Sequence, residues 1–334
     1  MALLSIRGLK KTYPAAGGRA VQALRGVDLE LEKGQAVGLV GESGCGKTTL
    51  ARTALRLIEP TAGQVFLSDV DITALSQRRL RPMRRRMQMI FQDPMASLNP
   101  RMTVAQTVAE PLQIHRLAKK DELRQRTLEL LERVGLGDEV LDRLAHQLSA
   151  GQRQRVGIAR ALASSPELLV ADEPIAALDV SIQAQIVNVL LELRQGMQLA
   201  LLFVSHDLRM VRHLCDDIAV MYLGKIVERV AMSKLEDPDA AVHPYTAVLS
   251  QAASLRASER LGADVESPSP LAPPAGCAFY LRCPFYASHQ NPRCREQMPD
   301  LVDRGEGHFI ACHEESSTLA GNTASLIDSS AADE

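Results

Sequence analysis

Gly41-Glu42-Ser43-Gly44-Cys45-Gly46-Lys47-Thr48 is the stretch that decides the fold. It fits the pattern G-x-x-x-x-G-K-[ST]. The glycines let successive backbone N–H groups turn inward around phosphate oxygens. Ahead of it the apolar run Ala36–Val40 reads as a buried strand, and behind it residues from Lys47 to about Ile58 read as a helix. The positive N-terminal end of that helix adds to the cradle. Lys47 is placed to reach the β- and γ-phosphates, and the Thr48 hydroxyl to reach Mg²⁺. Cys45 reads as a small loop residue. Strand, glycine loop and helix together open an α/β fold.

Outward from that stretch, the order continues. Residues 3–7 and 27–31 alternate as strands do, and Gln64–Leu67 and Met87–Phe91 read as further strands. From about Val104 to Ala163 the chain reads as mostly helical, with Leu123, Thr127, Leu130, Leu131 and Val134 on one face. Strand and helix then alternate again: Leu168–Ala171, Ile182–Gln195, Ala200–Val204 and Leu208–Cys215. Two short strands, Ile218–Tyr222 and Ile226–Arg229, turn at Leu223-Gly224. A helix-rich insertion inside a parallel sheet is the expected architecture. The strand Leu168–Ala171 delivers Asp172 and Glu173 side by side at its C-terminal end, where open α/β sheets bind ligands. Asp172 is expected to hold Mg²⁺, mainly through water, and Glu173 to polarise an attacking water.

Composition excludes several classes. The chain has 334 residues, enough for about two domains. A net charge of −2 gives no field that favours nucleic acid, and 3% aromatic residues with no Trp leave little for base stacking. The arginine run Arg78–Arg86 therefore reads as a solvated surface. No apolar run approaches the length of a membrane span, and the basic N-terminus does not suit a secretory leader. A reducing compartment is expected, so the six cysteines are not read as a disulfide framework. Residues 264–276 are rich in Pro, Ser and Ala and read as a linker, and the polar end as a disordered tail.

Leu148-Ser149-Ala150-Gly151-Gln152-Arg153-Gln154-Arg155 resembles the signature of ATP-binding-cassette ATPases. Other elements of that family stand at matching places: Tyr13 as the aromatic on adenine, Gln92 as the glutamine at Mg²⁺, Asp179 in Ala177-Leu178-Asp179 as the dimer loop, and His206 at the γ-phosphate. The resemblance covers residues 2 to about 255. It implies a P-loop NTPase (RecA-like) core with an antiparallel β subdomain and a helical subdomain at about 93–165, within a nucleotide-binding domain of 1–255. A smaller C-terminal region, 256–334, follows. The implied ATP site is Tyr13, Gly41, Ser43, Gly44, Cys45, Gly46, Lys47, Thr48 and Thr49. Thr48, Gln92 and Asp172 are the implied Mg²⁺ ligands, and Lys47, Gln92, Glu173 and His206 the implied catalytic set. The signature Ser149, Ala150, Gly151 and Gln152 is implied to act in trans, on nucleotide held by a second cassette. Ala150 departs from the usual glycine; its Cβ is expected to restrict backbone angles, crowd the partner's phosphate and weaken that shared site.

Phe91-Gln92-Asp93-Pro94-Met95-Ala96-Ser97-Leu98-Asn99-Pro100 and His243-Pro244-Tyr245-Thr246 resemble the oligopeptide and dipeptide importers of this family, which also serve nickel and other solutes. That resemblance implies an ATPase at the cytoplasmic face of the cell membrane. Its partners would be a homologous second ATPase subunit (a heterodimer), two permease subunits and, indirectly, an extracytoplasmic solute-binding protein. Cys277, Cys283, Cys294 and Cys312 match the C-terminal cysteines of the subfamily, some members of which carry a [4Fe–4S] cluster. Zinc with His308 or His313, and packed free thiols, are the alternatives. A cassette acting on nucleic acid would show tandem cassettes or basic arms, neither of which the sequence displays. A metabolite kinase would have no use for Leu148–Gln152.

Overall fold

The structure is a computed structural model that describes residues 2–176, 178–235, 237, 240–254 and 268–320. Residues 321–334 of the expected disordered tail (316–334), and part of the expected linker, lie outside the described residues; the tail's first residues are ordered, with Leu319 buried against Phe285 and Ile310. The described strands are, in chain order, β1 (Ala2–Pro14), β2 (Ala20–Glu32), β3 (Ala36–Val40), β4 (Ala62–Leu67), β5 (Val70–Asp71), β6 (Met87–Ile90), β7 (Leu168–Asp172), β8 (Ala200–Ser205), β9 (Asp217–Tyr222), β10 (Lys225–Ala231), β11 (Val302–Asp303) and β12 (Phe309–Ile310).

Every residue of β3, β7 and β8 is buried, as expected for strands covered on both faces. They lie in an eight-stranded sheet of order β11-β12-β10-β9-β3-β8-β7-β6, in which β6, β7, β8, β3 and β9 are parallel and the remainder antiparallel. The period-two alternation divides the core. Val37, Leu39, Val170 and Val204 face the helix Lys47–Ala54 and the antiparallel sheet β2-β1-β4-β5. Ala36, Val40, Leu169 and Phe203 face the helices Ala150–Leu162, Val180–Met197 and Leu208–Leu214. Each fully buried Leu or Phe contributes about 2 kcal/mol of transfer free energy. Gly38 faces the same helix layer, and a Cβ there would meet Val211 Cγ1 at 2.1 Å, so the strand needs glycine to admit the helix Leu208–Leu214. The β9–β10 turn has φ of 41° at Leu223 and 78° at Gly224. Two successive positive φ values match the twist of a tight hairpin.

The region between β6 and β7 is helical: Pro94–Ser97, Val104–Ile114, Leu123–Glu132 and Ala150–Leu162. Thr127, Leu131 and Val134 are buried there, which is the face read from their spacing. The arginine run forms the helix Gln77–Arg86, anchored by buried Leu80 and by Arg86, which pairs with Glu167.

The residues after 268 join the cassette. Ala278 and Phe279 belong to its main core, and β12 pairs antiparallel with β10 through Glu228↔Ile310 and Arg229↔Phe309. Strands this short carry no alternation to read. Glu228 is fully buried; its carboxylate takes the His243 backbone N–H at 3.1 Å and lies 2.6 Å from His308 Nε2. Burial pushes the His243 imidazole down to about 3, and its Nδ1 accepts the Tyr245 N–H. A histidine held neutral in the fold but free to protonate when unfolded makes stability rise with pH between the two values. Relative to His243→Asn, the native chain should therefore lose up to about 1.4 kcal/mol of unfolding free energy between pH 7.5 and 5.5. Urea titrations of both chains check this; a constant gap would count against it.

Candidate active site

The phosphate loop is shaped by close backbone approach. Gly46 has φ of 110°, and a Cβ there would lie 2.4 Å from the Ala23 carbonyl. Lys47, 4% exposed, donates to the carbonyls of Gly41 at 2.7 Å and Glu42 at 3.0 Å. The Thr48 hydroxyl donates to Asp172 Oδ1 at 2.9 Å. Asp172 is fully buried, and burial raises its carboxyl above the usual range. Its Oδ2 makes no hydrogen bond, and Arg52 Nε stands 3.8 Å away. A hydroxyl and a carboxylate with an unsatisfied buried oxygen are hard donors, the set that suits Mg²⁺.

Glu173 follows directly on β7. Its φ of 45° puts a non-glycine residue in the left-handed region, at a cost of about 1–3 kcal/mol. Its N–H donates to Val204 of β8 at 3.0 Å, which holds that backbone in place. One carboxylate oxygen lies 3.9 Å from Lys47 Nζ. The other accepts Gln92 Nε2 at 3.3 Å and lies 3.4 Å from His206 Nδ1. Gln92 leaves the end of β6, His206 the end of β8, and Lys47 the loop after β3. Four parallel strands thus deliver the expected catalytic set to one carboxylate.

Beside it is a cleft of about 360 Å³, lined by Tyr13, Ser43, Gly44, Cys45, Gly46, Lys47, Thr48, Thr49, Gln92, Glu173 and Pro270, among others. Tyr13 sits on β1 with Lys11 Nζ 5.0 Å from its ring centroid. Burial pushes the Cys45 thiol up, so it stays protonated.

The signature does not line this cleft, and neither does Asp179. Ser149 caps the helix Ala150–Leu162: its Oγ accepts the Gln152 N–H at 3.2 Å and Gln152 Oε1 accepts the Ser149 N–H at 3.0 Å. Ala150 has no positive φ, so its Cβ imposes no backbone strain, contrary to the expectation from glycine replacement. It occupies the first helical turn, where alanine is at ease. Gly151 is buried, and a Cβ there would meet Ile182 Cγ2 at 2.8 Å. Asp179 is exposed at the start of the helix Val180–Met197; Ala177 of the same motif lies outside the described residues.

Cys277, Cys283 and Cys312 are partly buried and Cys294 is buried; all are free thiols. Burial pushes Cys277 and Cys283 up to about 12 and Cys312 up to about 11, with each sensing others of the four. Among the described residues no three His, Cys, Asp or Glu side chains converge on a single metal ion. His308 is engaged with Glu228, and His313 Nε2 with the Gln297 carbonyl, so neither turns to the thiols. Three residues that meet this site escaped sequence reasoning: Pro270 in the cleft, and Arg282 and Tyr245, which both contact Glu42. Tyr245 and Arg282, the latter in Arg282-Cys283-Pro284, stood in stretches that carry the family resemblance but with no role; Pro270 carries no local signal.

The ABC transporter family model matches residues 24–176. The oligopeptide transport ATP-binding protein AppF of Bacillus subtilis (strain 168) is 45% identical over 324 residues, 93% of this chain and 97% of that protein. This chain belongs to the ABC transporter family. It is similar as well to the "Probable peptide ABC transporter ATP-binding protein y4tS" of Sinorhizobium fredii (strain NBRC 101917 / NGR234), 45% identical over 322 residues, 93% of this chain and 90% of that one. Among solved structures, the dimeric post-hydrolysis state of the ATP-binding cassette MJ0796, bound to ADP and Pi, has a TM-score of 0.64 at 30% identity. It covers 69% of this chain and 98% of that one.

In this ABC transporter ATPase, Glu173 is the carboxylate expected to polarise the attacking water. Glu173→Gln should lower ATP hydrolysis by about a hundredfold or more while MgATP binding persists. Phosphate release and nucleotide titration check the two halves, and a rate within tenfold of native would reassign the role.

Proposed function

We propose that this chain hydrolyses ATP to energise the import of peptides, as one of two cassettes seated on two permease subunits at the cytoplasmic face of the cell membrane. The carrying observation is the Glu173 carboxylate, held by Gln92, His206 and Lys47 beside a phosphate loop. Lys47 exchanges its loop carbonyls for phosphate oxygens. Thr48, Asp172 and Gln92 hold Mg²⁺, which supplies charge neutralisation at the phosphates. Glu173 orients and polarises the attacking water, and His206 stands at the γ-phosphate. Tyr13 stacks on adenine.

The exposed start of the helix Ala150–Leu162, headed by Ser149, offers N–H groups and a positive helix end to the nucleotide of a second cassette. Asp179 lies across the same interface. Closure around nucleotide and opening after phosphate loss then follow from differential affinity. The methyl of Ala150 crowds that shared site, which favours pairing with a homologous subunit over self-pairing.

A groove of about 1130 Å³ runs beneath the arginine-rich helix and includes Arg81, Arg84, Met87, Met89, Phe91 and Gln92. Its mixed charged and apolar lining suits a permease segment, and Gln92 borders both groove and nucleotide cleft. No described helix is long and apolar enough to cross a membrane, so membrane contact falls to such partners. Peptide as solute is supported by the names of the two relatives, and an extracytoplasmic binding protein would present it. In liposomes holding the complete transporter, peptide-loaded binding protein should raise ATP hydrolysis severalfold. Stimulation by nickel-loaded protein alone would move the solute to that alternative.

The four cysteines are proposed to hold a [4Fe–4S] cluster. The N–H groups of Phe279, Phe285, Tyr286 and Glu314 point at their sulfurs, the hydrogen bonding that tunes such clusters. Anaerobic preparations should carry about four irons per chain, lost in Cys283→Ser. Colourless, iron-free protein would leave packed thiols.

A further inference from the structure

Glu42, inside the phosphate loop, is gripped from outside the loop. Its carboxylate receives both terminal nitrogens of Arg282, each at 2.9 Å. Its N–H donates to the Tyr245 hydroxyl at 2.8 Å, while its carbonyl accepts Lys47 Nζ at 3.0 Å. One residue therefore separates the C-terminal region from the phosphate-binding lysine.

The grip is built. The Arg282 side chain is 11% exposed, and its guanidinium lies 6.0 Å from the Tyr222 ring centroid and 5.8 Å from that of Phe279. Those two rings pack with Tyr245 at centroid separations of 4.7–5.4 Å. A planar guanidinium on aromatic faces, meeting a carboxylate two-pronged, is a directional contact that lysine would not reproduce. Arg282 also lies on the short turn Tyr280–Arg282 between Cys277 and Cys283, and the Phe279 N–H points at the Cys277 sulfur. The same region returns to the cleft at Pro270, whose carbonyl accepts the Gln22 N–H at 3.3 Å.

We propose that Arg282 is a positioning residue for nucleotide: it neutralises and fixes Glu42, whose carbonyl holds Lys47 Nζ in the phosphate loop, so that the order of the four-cysteine region sets nucleotide affinity. Without Arg282, the Glu42 carboxylate loses its two-pronged contact, and the carbonyl that receives Lys47 Nζ loses that anchor. The inference rests on nucleotide binding by the phosphate loop and is the same with or without a cluster at the cysteines. Coupling between two sites is reciprocal, so nucleotide must in turn steady the turn that carries the thiols.

The test uses the full-length chain and MgADP, titrated calorimetrically. Arg282→Met should weaken binding about tenfold. Adding Glu42→Gln to that variant should recover affinity to within about threefold, because the net charge at the loop is restored. A merely structural arginine would show no such rescue. MgADP should also slow amide hydrogen exchange over the turn Tyr280–Arg282 in the native chain, and slow it less in Arg282→Met. Should Arg282→Met not fold, the polar and equally uncharged Arg282→Gln serves, with the same weakening and the same rescue. Unchanged affinity, or weakening that Glu42→Gln does not relieve, overturns the proposal. Native chain that fails to bind MgADP would instead strike at the phosphate loop.

Discussion

A buried ammonium group at the mouth of a buried strand is the constraint around which this molecule is arranged. Lys47 has almost no contact with water, so loop carbonyls and the Glu173 carboxylate must stand around it. That demand fixes the loop after β3 against the ends of β7 and β8, and it is why the parallel strands share one functional edge. The unusual backbone of Glu173 belongs to the same arrangement: strain is tolerated there because Val204 holds its N–H.

Much of this was legible from residues alone. The strands flanking the phosphate loop are short, continuous apolar runs, and the structure returns them within a residue or two. The expected catalytic set was named from motifs: Lys47 from the phosphate loop, Glu173 from the end of an apolar run, and Gln92 and His206 from the family resemblance. The convergence of Gln92, His206 and Lys47 on one oxygen pair was not readable, since it depends on strand order. Lys47 and Glu173 are separated by the whole helical insertion yet lie 3.9 Å apart.

What escaped reading has physical causes. Helix Gln77–Arg86 looked like a charge run because a single leucine, Leu80, is its buried anchor. The helix from Lys47 ends at Ala54, earlier than its composition suggests, because Arg56 turns to a φ of 53°. The expected backbone penalty at Ala150 vanished once that residue proved helical. Arg282 touches Glu42 across 240 positions, a contact that no local pattern encodes.

The two-residue strands near the end of the chain have a protective effect. β10 is rich in Ile and Val, and on its far side it would offer bare amide and carbonyl groups to any neighbouring chain. Phe309–Ile310 occupies part of that ladder, and Val302–Asp303 forms the outermost rung. A border only two residues long and bearing an aspartate makes a poor template for sheet-to-sheet sticking. The segment thus leaves little of the β10 ladder bare for pairing with another strand, quite apart from anything its cysteines do.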